Sequence, residues 1–106
     1  MVFTATVLYP AEADLKFDLS YYMNNHIPLV VETWTPHGLK DWKVIEFIPG
    51  PDGSKPYRIG AVLTWDSADS VKAALESDAG KIVLEDLPHF SNKTPLFLLG
   101  DVLGTS

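Results

Sequence analysis

The stretch Phe17-Asp-Leu-Ser-Tyr-Tyr-Met-Asn-Asn-His-Ile-Pro-Leu-Val30 decides how the rest of the chain is read. Leu19, Tyr22, Met23, His26, Ile27, Val30 and Val31 recur at the three/four spacing of one helical face, with Ser20, Asn24, Asn25 and Glu32 largely opposite. Asp18 suits the N-cap, and Phe17 before it suits the hydrophobic staple. The helix is expected to end near Thr35–Gly38, because Pro36 biases Thr35 away from helical geometry and glycine suits the C-terminal cap. Two residues break the local rules. His26 carries a hydrogen-bonding and protonation requirement into an apolar face. Pro28 removes a backbone donor and clashes with the carbonyl of Asn24. Such conflict inside a well-formed element points to a functional site.

Outward from this helix, Val2 to Tyr9 alternates as a strand and stops at Pro10. Leu39 to Ile48 and Tyr57 to Trp65 read as two strands, joined by the turn-forming Pro49-Gly-Pro-Asp-Gly-Ser-Lys-Pro56. Asp66 or Ser67 caps a second helical region, about Ala68 to Leu87, with an interruption around Ser77–Gly80. Pro88 to Thr94 connects it to a last apolar strand, Pro95 to Leu103. The order strand, helix, strand, strand, helix, strand predicts an α+β, ferredoxin-like βαββαβ split over residues 1–106, read as a single domain.

Two helical regions cover only one face of a four-stranded sheet. The last strand nonetheless offers apolar side chains to both faces, Leu96, Leu98 and Val102 on one and Phe97, Leu99 and Leu103 on the other. Trp42 and Val44 alternate with Ile45 and Phe47 in the same way. An uncovered face of this kind exposes a large apolar patch. A homodimer packed sheet against sheet is therefore expected.

The formal charge of −6, without a Lys/Arg cluster, argues against a nucleic-acid partner. The chain has no cysteine, which removes disulfides, thiolate nucleophiles and thiolate metal sites. No apolar run approaches the roughly 20 residues of a membrane span, and the first residues lack the basic region of a signal peptide. The expectation is a cytoplasmic protein with no membrane partner. Gly-x-Gly-x-x-Gly, phosphate-loop and Gly-x-Ser-x-Gly patterns are missing, and neither His-x-His nor Glu-x-x-His spacing supports a metal. No cofactor is expected.

Phe17-Asp18, Tyr21-Tyr22 and His26-Ile27-Pro28-Leu29-Val30 together resemble the signature of EthD-domain proteins, within the dimeric α+β barrel superfamily. The resemblance continues through Tyr57, Ile59-Gly60, Trp65-Asp66-Ser67 and Asp86-Leu87-Pro88-His89-Phe90-Ser91-Asn92 to Pro95. It implies the dimeric α+β barrel, and a superfamily that spans cofactor-free monooxygenases, isomerases, polyketide cyclases, haem enzymes and proteins with no clear reaction. Fold does not choose among these.

His26 is the first candidate for catalysis, as a general acid/base near neutrality on the helix face that overlies the sheet. Tyr22, one turn before it, is placed to orient the imidazole or to polarise a substrate carbonyl. Met23 and Val30 flank His26 on the same helix. Trp65, Phe90 and Asn92 are candidates for a pocket wall with one orienting amide, and His89 for a position near His26. Each has a structural alternative: His26 holding the kink, Tyr22 and Trp65 packing the core, Asn92 making a turn. Tyr21 is assigned to packing or an interface. The expected ligand is a small hydrophobic molecule, aromatic or polyketide-like, acted on by proton transfer in a cyclisation, dehydration or isomerisation. Cofactor-free oxygenation and a non-catalytic binding or accessory role are the competing readings.

Overall fold

The structure, a computed structural model, describes residues 2–106; Met1, included in the domain range above, lies outside them. Strand β1 (Phe3–Pro10) alternates strictly between buried and half-buried positions. Its buried set, Phe3, Ala5, Val7 and Tyr9, fixes which face carries the helices. The other strands are β2 (Leu39–Glu46), β3 (Tyr57–Trp65) and β4 (Leu96–Asp101), in the sheet order β2-β3-β1-β4. All three pairings are antiparallel. This is the ferredoxin-like α+β fold that the element order predicts. The strand ends differ by a residue or two from the predicted ones, and Pro10, read above as the stop of the first strand, is its last residue, paired with Tyr57 after a register shift.

The first helical region is built of α1 (Leu19–Tyr21), a π-helical segment (Tyr22–His26) and α2 (Ile27–Trp34). Asp18 caps it as expected, its side chain accepting from Tyr21 N at 3.0 Å. The π segment answers the conflict at Pro28. With no N–H at residue 28, the Asn24 carbonyl has lost its ordinary α-helical donor. The helix widens, and the Ile27 N–H donates to the Tyr22 carbonyl five residues back.

Widening also changes the phase of the helix. The buried stripe is Tyr22, His26, Ile27, Val30 and Trp34. Leu19 and Met23, expected on that stripe, are 36% and 37% exposed. The extra residue per turn rotates them off the face that Ile27 and Val30 define. Past α2, Thr35–His37 forms a 3₁₀ turn closed by Gly38 at φ 112°, left-handed geometry that glycine adopts without strain.

Helices α3 (Ala68–Glu76) and α4 (Asp78–Glu85) meet at Ser77, inside the interruption predicted from the sequence. Gly80 makes the join possible, since a Cβ there would lie 2.4 Å from the Leu75 carbonyl oxygen. The 3₁₀ turn Leu87–His89 then leads toward β4. The core lies between the helices and one sheet face, with Trp65, Tyr9 and Ile59 the largest fully buried side chains. On the other face Ile45, Leu96 and Leu98 remain 37%, 44% and 50% exposed. Among the described residues no helix is long and apolar enough to cross a membrane.

Candidate active site

His26 ends the π segment and is 5% exposed. Its ring packs against Phe90 at 4.4 Å between centroids and stacks on Tyr22 at 5.4 Å, with 21° between the latter planes. Its Nδ1 lies 2.9 Å from Oδ2 of Asp86, and the Tyr21 hydroxyl donates to Oδ1 of the same carboxylate at 2.7 Å. Asp86 is the C-cap of α4, where a carboxylate faces the negative end of the helix dipole. Placement against that field makes sense only because two donors meet it.

Those donors decide the protonation states. Burial pushes the Asp86 carboxyl upward, but the hydrogen bonds from Tyr21 and His26, with the nearby His26 and His89 charges, hold it below the usual carboxylate value. An ionised Asp86 only accepts, so His26 Nδ1 carries the proton of that bond. Burial lowers the His26 pKa below 6.5, and this outweighs the hydrogen bond and charge of Asp86, which act upward. The imidazole is therefore neutral at pH 7, with its lone pair on Nε2. Among the described residues no group hydrogen-bonds Nε2.

The loop geometry explains how residues far apart in sequence reach this arrangement. Asp18 N donates to the Phe90 carbonyl at 2.8 Å, and Phe17 forms an isolated antiparallel bridge with Ser91. Asn92 ties the strap down: its Oδ1 accepts from Lys16 N at 2.7 Å and its Nδ2 donates to the Asp14 carbonyl at 2.9 Å. Phe17, Tyr9, Tyr22 and Phe90 form an aromatic cluster beneath, with centroid separations of 4.9 to 5.9 Å. The strap holds the start of α1 against the end of α4, and with it Tyr21 and His26 against Asp86.

A small apolar cavity of about 30 Å³ adjoins this constellation, lined by Tyr22, His26, Val30 and Trp34 of the first helical region together with Val7, Tyr9 and Phe97 of the sheet and Leu84 and Leu87. It has room for a water or two. Leu84 and Phe97 are each 39% exposed, so the α4–β4 side is its least covered wall. Any organic ligand requires that side to open.

Of the residues expected from sequence, His26, Tyr22 and Val30 line the cavity, and Phe90 packs on the imidazole. Tyr22 meets His26 face to face rather than through its hydroxyl, and burial raises its pKa far above the ordinary phenol value. Trp65 is 1% exposed and packs at 5.4 Å against Trp34 without lining the cavity. Asn92 lies in the strap, Met23 faces outward, and His89 is exposed and stacked on Tyr21 at 5.8 Å. Tyr21, assigned above to packing or an interface, instead donates to Asp86. Asp86, quoted above only within the resemblance and given no role beside His26, and Trp34, not singled out at all, are brought to the imidazole and the cavity by the structure. An aspartate at the end of a helix, against the dipole, was the available signal for the first. Nothing local marked the second.

A four-stranded antiparallel sheet with helices on one face, and a half-buried carboxylate paired with a buried imidazole beside the core, define a ferredoxin-like α+β protein. Solved structures place that fold more narrowly. An EthD-like protein from Ralstonia eutropha JMP134 superimposes with a TM-score of 0.87 at 21% identity, covering 99% of this chain and 95% of that one. An ethyl tert-butyl ether D (EthD) family protein from Bacillus halodurans C-125 gives 0.78 at 25% identity, covering 97% and 100%. SnoaB, a cofactor-independent oxygenase from Streptomyces nogalater, gives 0.67 at 11% identity, covering 98% and 93%. No family model and no curated protein matches the chain. The resemblance to EthD-domain proteins carried by Phe17–Val30 and Asp86–Pro95 is thus matched by their fold over nearly the whole chain.

Proposed function

We propose that the protein is a cofactor-independent, single-domain enzyme in which neutral His26 takes a proton from a small hydrophobic substrate in a cyclisation, dehydration or isomerisation. One observation carries the reading: Nδ1 is anchored by an ionised carboxylate, while Nε2 has no protein partner on a ring that lines an apolar cavity. Buried polar atoms are generally paired, so a ring nitrogen without a protein partner is open to water or to a ligand. Asp86 fixes the tautomer and stabilises the imidazolium formed after proton transfer, the role a buried carboxylate plays beside a catalytic histidine. Tyr22 holds the ring by stacking, and Phe90 packs against it at 4.4 Å.

Cofactor-free oxygenation is the nearest alternative, since it begins with the same proton removal, and SnoaB, which shares the fold, is a cofactor-independent oxygenase. A third reading is a non-catalytic metabolite-binding or accessory protein; a cavity of about 30 Å³ favours its accessory form, which holds no ligand there. Assays of His26→Ala and His26→Gln against anthrone and poly-β-ketone substrates, with oxygen uptake and circular dichroism recorded, separate the three. Proton-transfer chemistry predicts a loss of about 10²–10⁴-fold in kcat without oxygen consumption. Full activity in a folded His26→Ala protein removes the acid/base role.

The exposed sheet face supports a homodimer. Leu96, Leu98 and Ile45 lie on the side of the sheet that no helix covers, and a second copy packed on it would bury them.

A further inference from the structure

The described residues include two buried side-chain polar atoms without a hydrogen-bond partner, Nε1 of Trp34 and Nε1 of Trp65. The two indoles differ in one respect. Trp65 is enclosed by the core, whereas Trp34, 4% exposed, lines the same cavity as His26. An indole N–H only donates, so the partner it lacks is an acceptor atom. No main-chain or side-chain oxygen of the described residues meets that need.

Trp34 and His26 lie on one stripe of the helix, with α2 (Ile27–Trp34) between them. At 1.5 Å per residue their backbones are about 12 Å apart. Val30, midway along the stripe, and Ile27 keep the intervening wall apolar. His26 and Trp34 therefore both line the cavity, with apolar Val30 and Ile27 between them along the helix.

We propose that Trp34 is a ligand-binding residue whose indole N–H donates to a carbonyl oxygen at the end of the ligand remote from His26, so that the site takes an elongated, flat molecule rather than a single ring. The assignment rests on the His26 reading for the identity of the reacting end, and it deepens that reading by setting the length and polarity of the substrate. Affinity for the remote oxygen belongs to Trp34, and proton transfer belongs to His26. The ligand enters from the α4–β4 side, where Leu84 and Phe97 are each 39% exposed and have to move apart to enlarge the cavity of about 30 Å³.

Three naphthalenes test the two ends separately: 6-acetyl-2-naphthol, 2-naphthol without the remote acceptor, and 2-acetylnaphthalene without the acidic proton. Binding is followed by naphthalene fluorescence and by the indole N–H resonances of the ¹⁵N-labelled full chain. The Trp34 resonance is expected to move downfield with both acetyl compounds and to stay in place with 2-naphthol. Trp34→Phe is expected to weaken 6-acetyl-2-naphthol about tenfold while leaving 2-naphthol within about twofold. Trp65→Phe, which removes an equally buried indole outside the cavity, controls for general loosening and is expected to leave all three affinities unchanged.

Equal losses for the acetylated and unacetylated naphthols, an unmoved Trp34 resonance, or no binding of any of the three overturns the assignment. So does a crystal structure in which Trp34 Nε1 keeps an ordered water that the acetyl compounds do not displace. The expected naphthol pattern with no effect of His26→Gln would instead retain the Trp34 subsite and discard the catalytic reading.

Discussion

Asp86 and His26, 60 residues apart in the chain, meet at 2.9 Å through Oδ2 and Nδ1. The contact joins the C-cap of α4 to the end of the π segment, so it exists only when both helical regions are docked. It also does two things to the imidazole at once. It selects the tautomer, and it partly offsets the penalty that burial imposes on the protonated form.

Replacing the carboxylate tests that coupling. In Asp86→Asn the hydrogen bond and the charge that raise the His26 pKa are weakened, so that pKa is expected to fall further below 6.5. Loss of tautomer control is expected to lower kcat by up to about 10⁴-fold, the effect of the Asp→Asn change beside a catalytic histidine. Loss of charge-assisted bonds is expected to cost about 1–3 kcal/mol of stability. Imidazole proton shifts against pH, read beside urea unfolding, check both; an unchanged titration would dismiss the coupling.

Tyr21→Phe should move the same titration the other way. The Tyr21 hydroxyl now shares the Asp86 charge, and donating to it pushes the phenol above its ordinary pKa. Without that donor the carboxylate interacts more strongly with Nδ1–H, and the His26 pKa is expected to rise. Opposite signs for Tyr21→Phe and Asp86→Asn are the signature. Shifts of the same sign would show that Tyr21 acts only by packing.

Stability is expected to fall on mild acidification. The His26 pKa is lowered in the folded state, so the unfolded chain binds the proton first as the pH drops below about 6.5. The stability contributed by the neutral ring is present above that value and lost as the pH falls through the folded pKa. Asp86, also lowered, adds a second loss below 3.8 by the same logic. Urea midpoints between pH 7.5 and 5 should therefore decline in the wild type and flatten in His26→Gln. Parallel declines in the two proteins would assign the effect elsewhere.

The proposed dimer makes a plain prediction about mass. Light scattering should give about twice 11.7 kDa for the wild type. Leu98→Glu places a charge on the exposed sheet face, where Leu98 is 50% exposed, and should release folded monomer. A monomeric wild type, or a dimer indifferent to this substitution, would locate the interface on another surface or abolish it.

Activity, once a substrate is found, should rise with pH through the His26 pKa and level off above about 6.5, because the base acts only when neutral. A profile that falls over that range would make the imidazolium, not the imidazole, the working form.

Much of this protein was legible residue by residue. Alternation set the strands, Asp18 and Gly38 set the limits of the first helical region, and the element order set the sheet. These are local consequences of periodicity, capping and turn geometry, which act over a few residues and leave their mark in the sequence. His26 and Pro28 were visible for the same reason, as breaches of those rules.

What surrounds His26 was decided by tertiary structure. Met23 left the buried face because a π turn, not an α turn, precedes Ile27, a change of phase that no spacing rule anticipates. Tyr21 and Asp86 meet because the Phe17–Asn92 strap brings the start of one helical region to the end of another. Trp34 Nε1 is buried at the cavity without an acceptor because of what the fold packs around it, not because of its neighbours in sequence. Hydrogen-bond partners and desolvation depend on atoms brought together across the fold, and a linear pattern carries no record of them.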